Sequence, residues 1–168
     1  MNKKIFLLLM VLTMSASSFA QFEKGKKYLS ATMSGLNLQY SGFEKWKFDI
    51  GARAGYMIVN NWMLMGTANY TYQKNGFKAV TVGAGARYYI IENGLYLGLA
   101  ANYQYRDLGV TTYHDFVPNL HIGYAFFVSR TVTIEPEHYY NQSLKDHSNY
   151  SEVGFRIGVG IYLDKLIP

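Results

Sequence analysis

The chain has 168 residues, with 16 Lys and Arg against 11 Asp and Glu, for a formal charge of +5. It contains no cysteine, which excludes a disulfide framework, thiol catalysis and a lipid-anchored cysteine. The mild basic excess forms no nucleic-acid surface, and no segment reaches the roughly 18 consecutive apolar residues of a membrane helix.

Residues 1–20 have the layout of a cleavable signal peptide, which implies export through the Sec pathway. Lys3 and Lys4 give a positive start, and Ile5 to Met14 give an apolar stretch too short to span a bilayer. Ser18-Phe19-Ala20 places small residues at −3 and −1 before Gln21. Setting this segment aside leaves residues 21–168, or 168 − 20 = 148, enough for one domain. Lys24, Lys26 and Lys27 form the only basic run, which reads as a solvated arm.

Eight strands follow, each with a period of two. The first, about Lys27 to Tyr40, sets Leu29, Ala31 and Met33 against Ser30, Thr32 and Ser34. Its phase flips after Gly35, which signals a β-bulge. The second, about Lys47 to Met57, sets Phe48, Ile50, Ala52, Ala54 and Tyr56 against Asp49, Gly51, Arg53 and Gly55. Asn60-Asn61 reads as a turn. The third, about Trp62 to Gln73, carries Leu64, Ala68, Tyr70 and Tyr72 on one face and Met65, Thr67, Asn69 and Thr71 on the other. Lys74-Asn75-Gly76 ends it.

The fourth strand, about Phe77 to Ile91, opposes Val80, Val82, Tyr88 and Ile90 to Thr81, Gly83, Gly85, Arg87 and Tyr89. After Glu92-Asn93-Gly94, the fifth, about Leu95 to Arg106, opposes Leu97, Leu99, Tyr103 and Tyr105 to Tyr96, Gly98, Asn102, Gln104 and Arg106. The sixth, about Asp115 to Val128, is less regular, with Leu120, Ile122, Tyr124 and Phe126 opposite Asn119, His121, Gly123 and Ala125. Ser129-Arg130 turns into the seventh, Thr131 to Asn141, where Glu135 and Glu137 share a face and Pro136 removes one ladder donor. In the eighth, Glu152 to Leu163, Val153, Phe155, Ile157, Val159, Ile161 and Leu163 alternate with Glu152, Gly154, Arg156, Gly158, Gly160 and Tyr162.

The polar face of these strands carries charges and glycines with few lysines, unlike a solvated exterior. The apolar face tends to end in aromatics, and 16 tyrosines suit belts at two water–lipid boundaries. The expected fold is therefore all-β: an eight-stranded antiparallel up-and-down transmembrane β-barrel preceded by the signal peptide. A sheet in hydrocarbon satisfies its backbone only by closing on itself. Eight strands leave room inside only for side chains. The alternative with the same period is a soluble lipocalin-like binding barrel, in which the two faces exchange roles.

An even strand number puts both termini on one side, the periplasm. The outer connections then centre on Ser41–Lys45, Lys74–Gly76, Asp107–His114 and Gln142–Asn149, all modest in length. The expected lumen charge network is Asp49, Arg53, Arg87, Arg106, Glu135, Glu137, Glu152 and Arg156. Both signs are present, and a narrow interior penalises an unpaired charge.

Taken together, the signal segment, the alternating strands and the glycine-rich final strand resemble the small OmpA/OmpX-type outer-membrane barrels. Gly85-Ala86-Arg87-Tyr88-Tyr89 before a turn is similar to that group. Arg156, Gly158, Ile161 and Leu163 resemble the C-terminal signal read by the barrel assembly machinery. Such chains often stop at a terminal aromatic, whereas this one continues through Asp164-Lys165-Leu166-Ile167-Pro168. The resemblance implies an outer-membrane location, with membrane lipids and lipopolysaccharide as surroundings.

No catalytic site, metal site or cofactor is expected. His147-Ser148 near Glu152 invites comparison with the Ser-His-Glu site of lipid A deacylases. Strand neighbours point to opposite faces, however, and the one-residue spacing is missing. Glu135 and Glu137 could serve as paired carboxylates, but the abundant arginines favour charge pairing. His114, His121, His138 and His147 show no ligand spacing. His121 is expected to be a hydrogen-bonded lumen residue, and His138 an outward residue near the rim. The expected role is structural or interaction-based in a monomer. A narrow solute pore and a lipid A-modifying enzyme are the alternatives.

Overall fold

A computed structural model describes residues 22–39, 47–73, 78–90, 94–107, 111–145, 147 and 151–164. Nine strands occur there: β1 (Lys27–Gln39), β2 (Lys47–Val59), β3 (Trp62–Gln73), β4 (Lys78–Tyr89), β5 (Leu95–Asp107), β6 (Thr112–Tyr124), β7 (Phe126–Phe127), β8 (Val132–Asn141) and β9 (Glu152–Leu163). Each long strand pairs antiparallel with its neighbours in the chain. β1 also pairs with β9 and β6 with β8, so eight long strands close a ring and β7 is a short continuation of β6.

The ring is staggered. Register partners lead from Val153 to Tyr140, Leu120, Leu99, Ala86, Leu64, Tyr56, Lys27 and back to β9 at Leu163. One circuit thus advances 163 − 153 = 10 residues. Tilt and stagger are linked, and eight strands with this stagger lean by about 40° from the axis.

The inversion of faces decides the environment. Leu99 is 65 % exposed, while the guanidinium-bearing Arg87 is 0 % exposed. Val153, Ile157 and Ile161 are likewise exposed, and Arg53, Glu135 and Glu137 are buried. A lipocalin-like barrel would show the reverse, so that alternative falls. Trp62, Tyr56 and Tyr88 ring the outside near the mouth where β1 begins and β9 ends, here the lower mouth. Tyr70, Tyr72, Tyr103, Tyr105 and Phe116 ring it near the upper mouth. Aliphatic side chains fill the band between them, as an acyl-chain environment requires.

The phase flip after Gly35 is a bulge. The β1–β9 register shifts between Met33 and Leu36, giving β1 one extra residue against β9. A second shift, between Met57 and Val59, precedes the tight Asn60-Asn61 turn, where Asn61 adopts φ 66°.

The sixth strand differs from expectation. It begins at Thr112, not Asp115, and is interrupted at Ala125. The β6–β8 ladder runs from Asn119↔Asn141 to Gly123↔Glu137 and resumes in the same register at Phe126↔Ile134. The gap thus faces Pro136, which offers no N–H. β8 itself stays continuous, so the proline interrupts its neighbour's ladder instead of fraying its own strand. On its other side the interrupted chain stays in register with β5, the Ala125 amide donating to the Gly94 carbonyl at 2.8 Å.

The segment before β1 is not a free arm. Phe22 lies in the lower mouth, stacked on Tyr89 at 3.9 Å between ring centres. Its carbonyl accepts from the Asn61 amide at 2.9 Å, and the Gly25 amide donates to Met57 at 2.8 Å. Lys26 pairs with Asp164 at 3.3 Å, while the Lys24 and Lys27 side chains stay exposed.

Candidate functional site

The inward face of each strand delivers its charges to two tiers. In the lower tier β2 presents Arg53, β4 Arg87, β8 Glu135 and Glu137, and β9 Arg156. Arg53 grips Glu137 with both terminal nitrogens, at 2.8 and 3.0 Å. Arg87 bridges the two carboxylates, 2.9 Å from Glu135 and 3.3 Å from Glu137. Arg156 also binds Glu137. One buried carboxylate therefore faces three guanidiniums, which is tolerable in a low dielectric only because each charge has fixed partners.

Four tyrosines complete this tier. The Tyr28 hydroxyl donates to Glu135 at 2.6 Å, Tyr162 donates to the same carboxylate at 3.2 Å, and Tyr96 donates to Glu137 at 3.1 Å. Thr133 adds a donor to Glu135 at 2.9 Å. The Arg87 guanidinium lies 3.8 Å from the centre of the Tyr96 ring, a cation–π contact. Tyr89 and Tyr162 share a hydrogen bond of 2.6 Å. Below them Phe22, Met57 and Met63 form a buried apolar floor with the tyrosine rings. The alternation already put Tyr89, Tyr96 and Tyr162 on the inner face, and their role is what sequence reasoning missed. A lone strand does not reveal that the Tyr28, Tyr96 and Tyr162 hydroxyls converge on two carboxylates from another, with Tyr89 joined to them through Tyr162.

Asp49, Arg106 and Glu152 are not drawn into this cluster but line the upper lumen. There Asp49 accepts from Thr71 at 3.0 Å, Glu152 accepts from Asn141 at 2.8 Å, and Arg106 donates to Gln104 at 2.7 Å. The upper cavity is polar and about 30 Å³ in volume, room for two or three waters. The split follows position along the strands: Asp49 precedes Arg53 on β2 and Glu152 precedes Arg156 on β9 by four residues, about 13 Å of strand.

His121 is buried in the wall, with Nδ1 2.8 Å from the Asn119 side-chain oxygen. His138 is outward but not at the rim. It pairs across the sheet with Ile122, which lies on β6 between Phe116 of the upper ring and Tyr124 below. It therefore stands within the apolar band.

Ser148 is outside the described residues. His147 instead meets Ser151, its Nδ1 2.8 Å from Oγ. Gln142 reaches the same ring nitrogen at 2.7 Å, and Ser151 Oγ also accepts the Ser143 amide at 3.1 Å. Ser151 is buried, only 3 % exposed. Among the described residues, no group of His, Asp and Glu has the arrangement of a metal site.

The outer membrane protein beta-barrel domain matches residues 6–165 of this sequence. The chain belongs to that family. Its fold is shared with other barrels of the family's kind. Neisserial surface protein A is 20 % identical, with a TM-score of 0.58 over 81 % of this chain and 95 % of that one. The N-terminal β-barrel domain of Pseudomonas aeruginosa OprF is 11 % identical, with a TM-score of 0.63 over 83 % and 98 %. The Yersinia pestis attachment invasion locus protein Ail is 19 % identical, with a TM-score of 0.56 over 83 % and 98 %. No curated protein matches this chain. As an outer-membrane barrel, the protein carries its exposed aliphatic band in the lipid bilayer.

Proposed function

We propose that this outer-membrane barrel is permanently closed, and that it acts as a structural or interaction component and not as a channel or an enzyme. The observation that carries the reading is Glu137 held by Arg53, Arg87 and Arg156 across the lumen, above a floor of aromatic and Met side chains. Separating those charges to open a path costs several kcal/mol per ion in a low dielectric. The protein is a monomer surrounded by outer-membrane lipids and lipopolysaccharide, with residues 1–20 removed on export. Arg156, Gly158, Ile161 and Leu163 act as the assembly signal before closure. Arg156 is engaged by Glu137 after folding, so the signal is legible only in the unfolded strand.

Planar bilayers test the closed lumen. The expected result is no stepwise conductance from the reconstituted protein, whereas steady single-channel steps would establish the pore reading. The folded chain should also migrate faster on SDS gels than after boiling. A single heat-independent band would contradict a closed barrel stable in detergent.

A further inference from the structure

Inward-pointing oxygens gather in the upper cavity. Asp49 on β2 and Glu152 on β9 line it from the two sides of β1, and Ser34 on β1 is the register partner of Asp49. Asn69 on β3 pairs with Gly51, the next inward residue after Asp49 on β2. Gly51 has no side chain, so its neighbours lean over it. A Cβ there would meet Asn69 Oδ1 at 1.9 Å and Thr32 Oγ1 at 2.6 Å.

Two of these oxygens are orphans. Ser34 is only 7 % exposed, and its Oγ has no hydrogen-bond partner among the described residues. Asn69 Oδ1, itself buried, has none there either. Both residues line the cavity. A buried acceptor left unpaired is costly, and an amide oxygen beside a carboxylate meets only another acceptor. The two guanidiniums that line the cavity are engaged by other side chains. Arg106 donates to Gln104 on β5, across the ring from β1, and Arg156 donates to Glu137 below.

We propose that the upper cavity is a binding site for a divalent cation of the size of Ca²⁺. Asp49, Ser34 Oγ and Asn69 Oδ1 are its protein ligands, and Glu152 supplies the second negative charge. Ca²⁺ takes about six to eight oxygens, from carboxylates, amides and water alike, in flexible geometry. The cavity volume of about 30 Å³ leaves room for the water ligands. Mg²⁺ demands a stricter octahedron, which donors fixed on three strands do not preset. Neutral oxygens carry much of the site, so it lacks the clustering of His, Asp and Glu that marks a typical metal centre.

The whole folded protein, stripped with a chelator in detergent free of lipopolysaccharide, is titrated with calcium chloride at constant ionic strength. The temperature at which the folded gel band disappears reports binding, since a ligand held only by the native state stabilises it. Tb³⁺ luminescence excited through tyrosine, and its displacement by Ca²⁺, gives a second readout, because Tyr139 lines the cavity. The expected result is a saturable rise in that temperature, with Mg²⁺ about tenfold weaker. Asp49→Asn should weaken Ca²⁺ binding by about tenfold or more. Thr81→Lys, which carries an ammonium group into the same cavity, should fold and lose both responses. A response that fails to saturate, that Mg²⁺ reproduces, or that survives both substitutions would be surface screening and would overturn the proposal. No response to Ca²⁺ at all would mean that water alone serves the orphan oxygens, and would overturn it equally.

Discussion

Glu137→Leu should destabilise the barrel by about 3–5 kcal/mol, the cost of breaking a buried pair by removing one partner. The loss is large because Arg53, Arg87 and Arg156 would then face one another around an apolar side chain. Urea unfolding in detergent or vesicles, followed by the heat-shifted gel band, measures it. Glu135→Gln should cost less, since the amide oxygen still accepts at one of the two carboxylate positions, from Tyr28 or from Tyr162 and Thr133, and Glu137 keeps its three guanidinium partners. Removing a cation together with Glu137, as in Arg53→Met/Glu137→Leu, should recover part of the loss, and the double-mutant cycle with Arg53→Met and Glu137→Leu reports the coupling. A Glu137→Leu midpoint equal to that of the parent chain would show that the cluster is not a stabilising element.

Leu99→Lys and Ile157→Lys should each impair insertion by about 2–4 kcal/mol, the cost of a lysine near the bilayer midplane. Both side chains point into the aliphatic band, away from the lumen. Thr81→Lys is the informative partner. Thr81 turns into the upper cavity, where Asp49 and Glu152 offer carboxylates to an ammonium group, so this lysine should be tolerated better. Folding yields into vesicles at graded urea rank the three. Equal yields would contradict the assignment of faces.

Much of this molecule was legible in sequence because a period of two is a local property. Val153 to Leu163 alternates without a break, and its faces stand where the pattern puts them. The bulge was legible because Gly35 coincides with the phase change. The break at Ala125 was not, because its cause lies on another strand: Pro136 faces the gap only once register is known. The same limit applies to the charges. Alternation assigns Asp49 and Arg53 to one face, four residues apart, but the closed ring decides that Arg53 reaches Glu137 while Asp49 belongs to the upper cavity. His138 was expected near the rim because its height relative to Ile122 and Tyr124 is a property of neighbouring strands.

The lower tier also bears on mechanics. Its ion pairs run from β2 and β4 to β8, from one side of the cylinder to the other, like spokes in a wheel. Lateral pressure that would flatten an empty tube must here compress rigid guanidinium–carboxylate links. The cross-section is accordingly set by side chains and not by the surrounding lipid. Adjustment to thinner or thicker bilayers is left to the aromatic side chains at the rims, which sit at the water–lipid boundary.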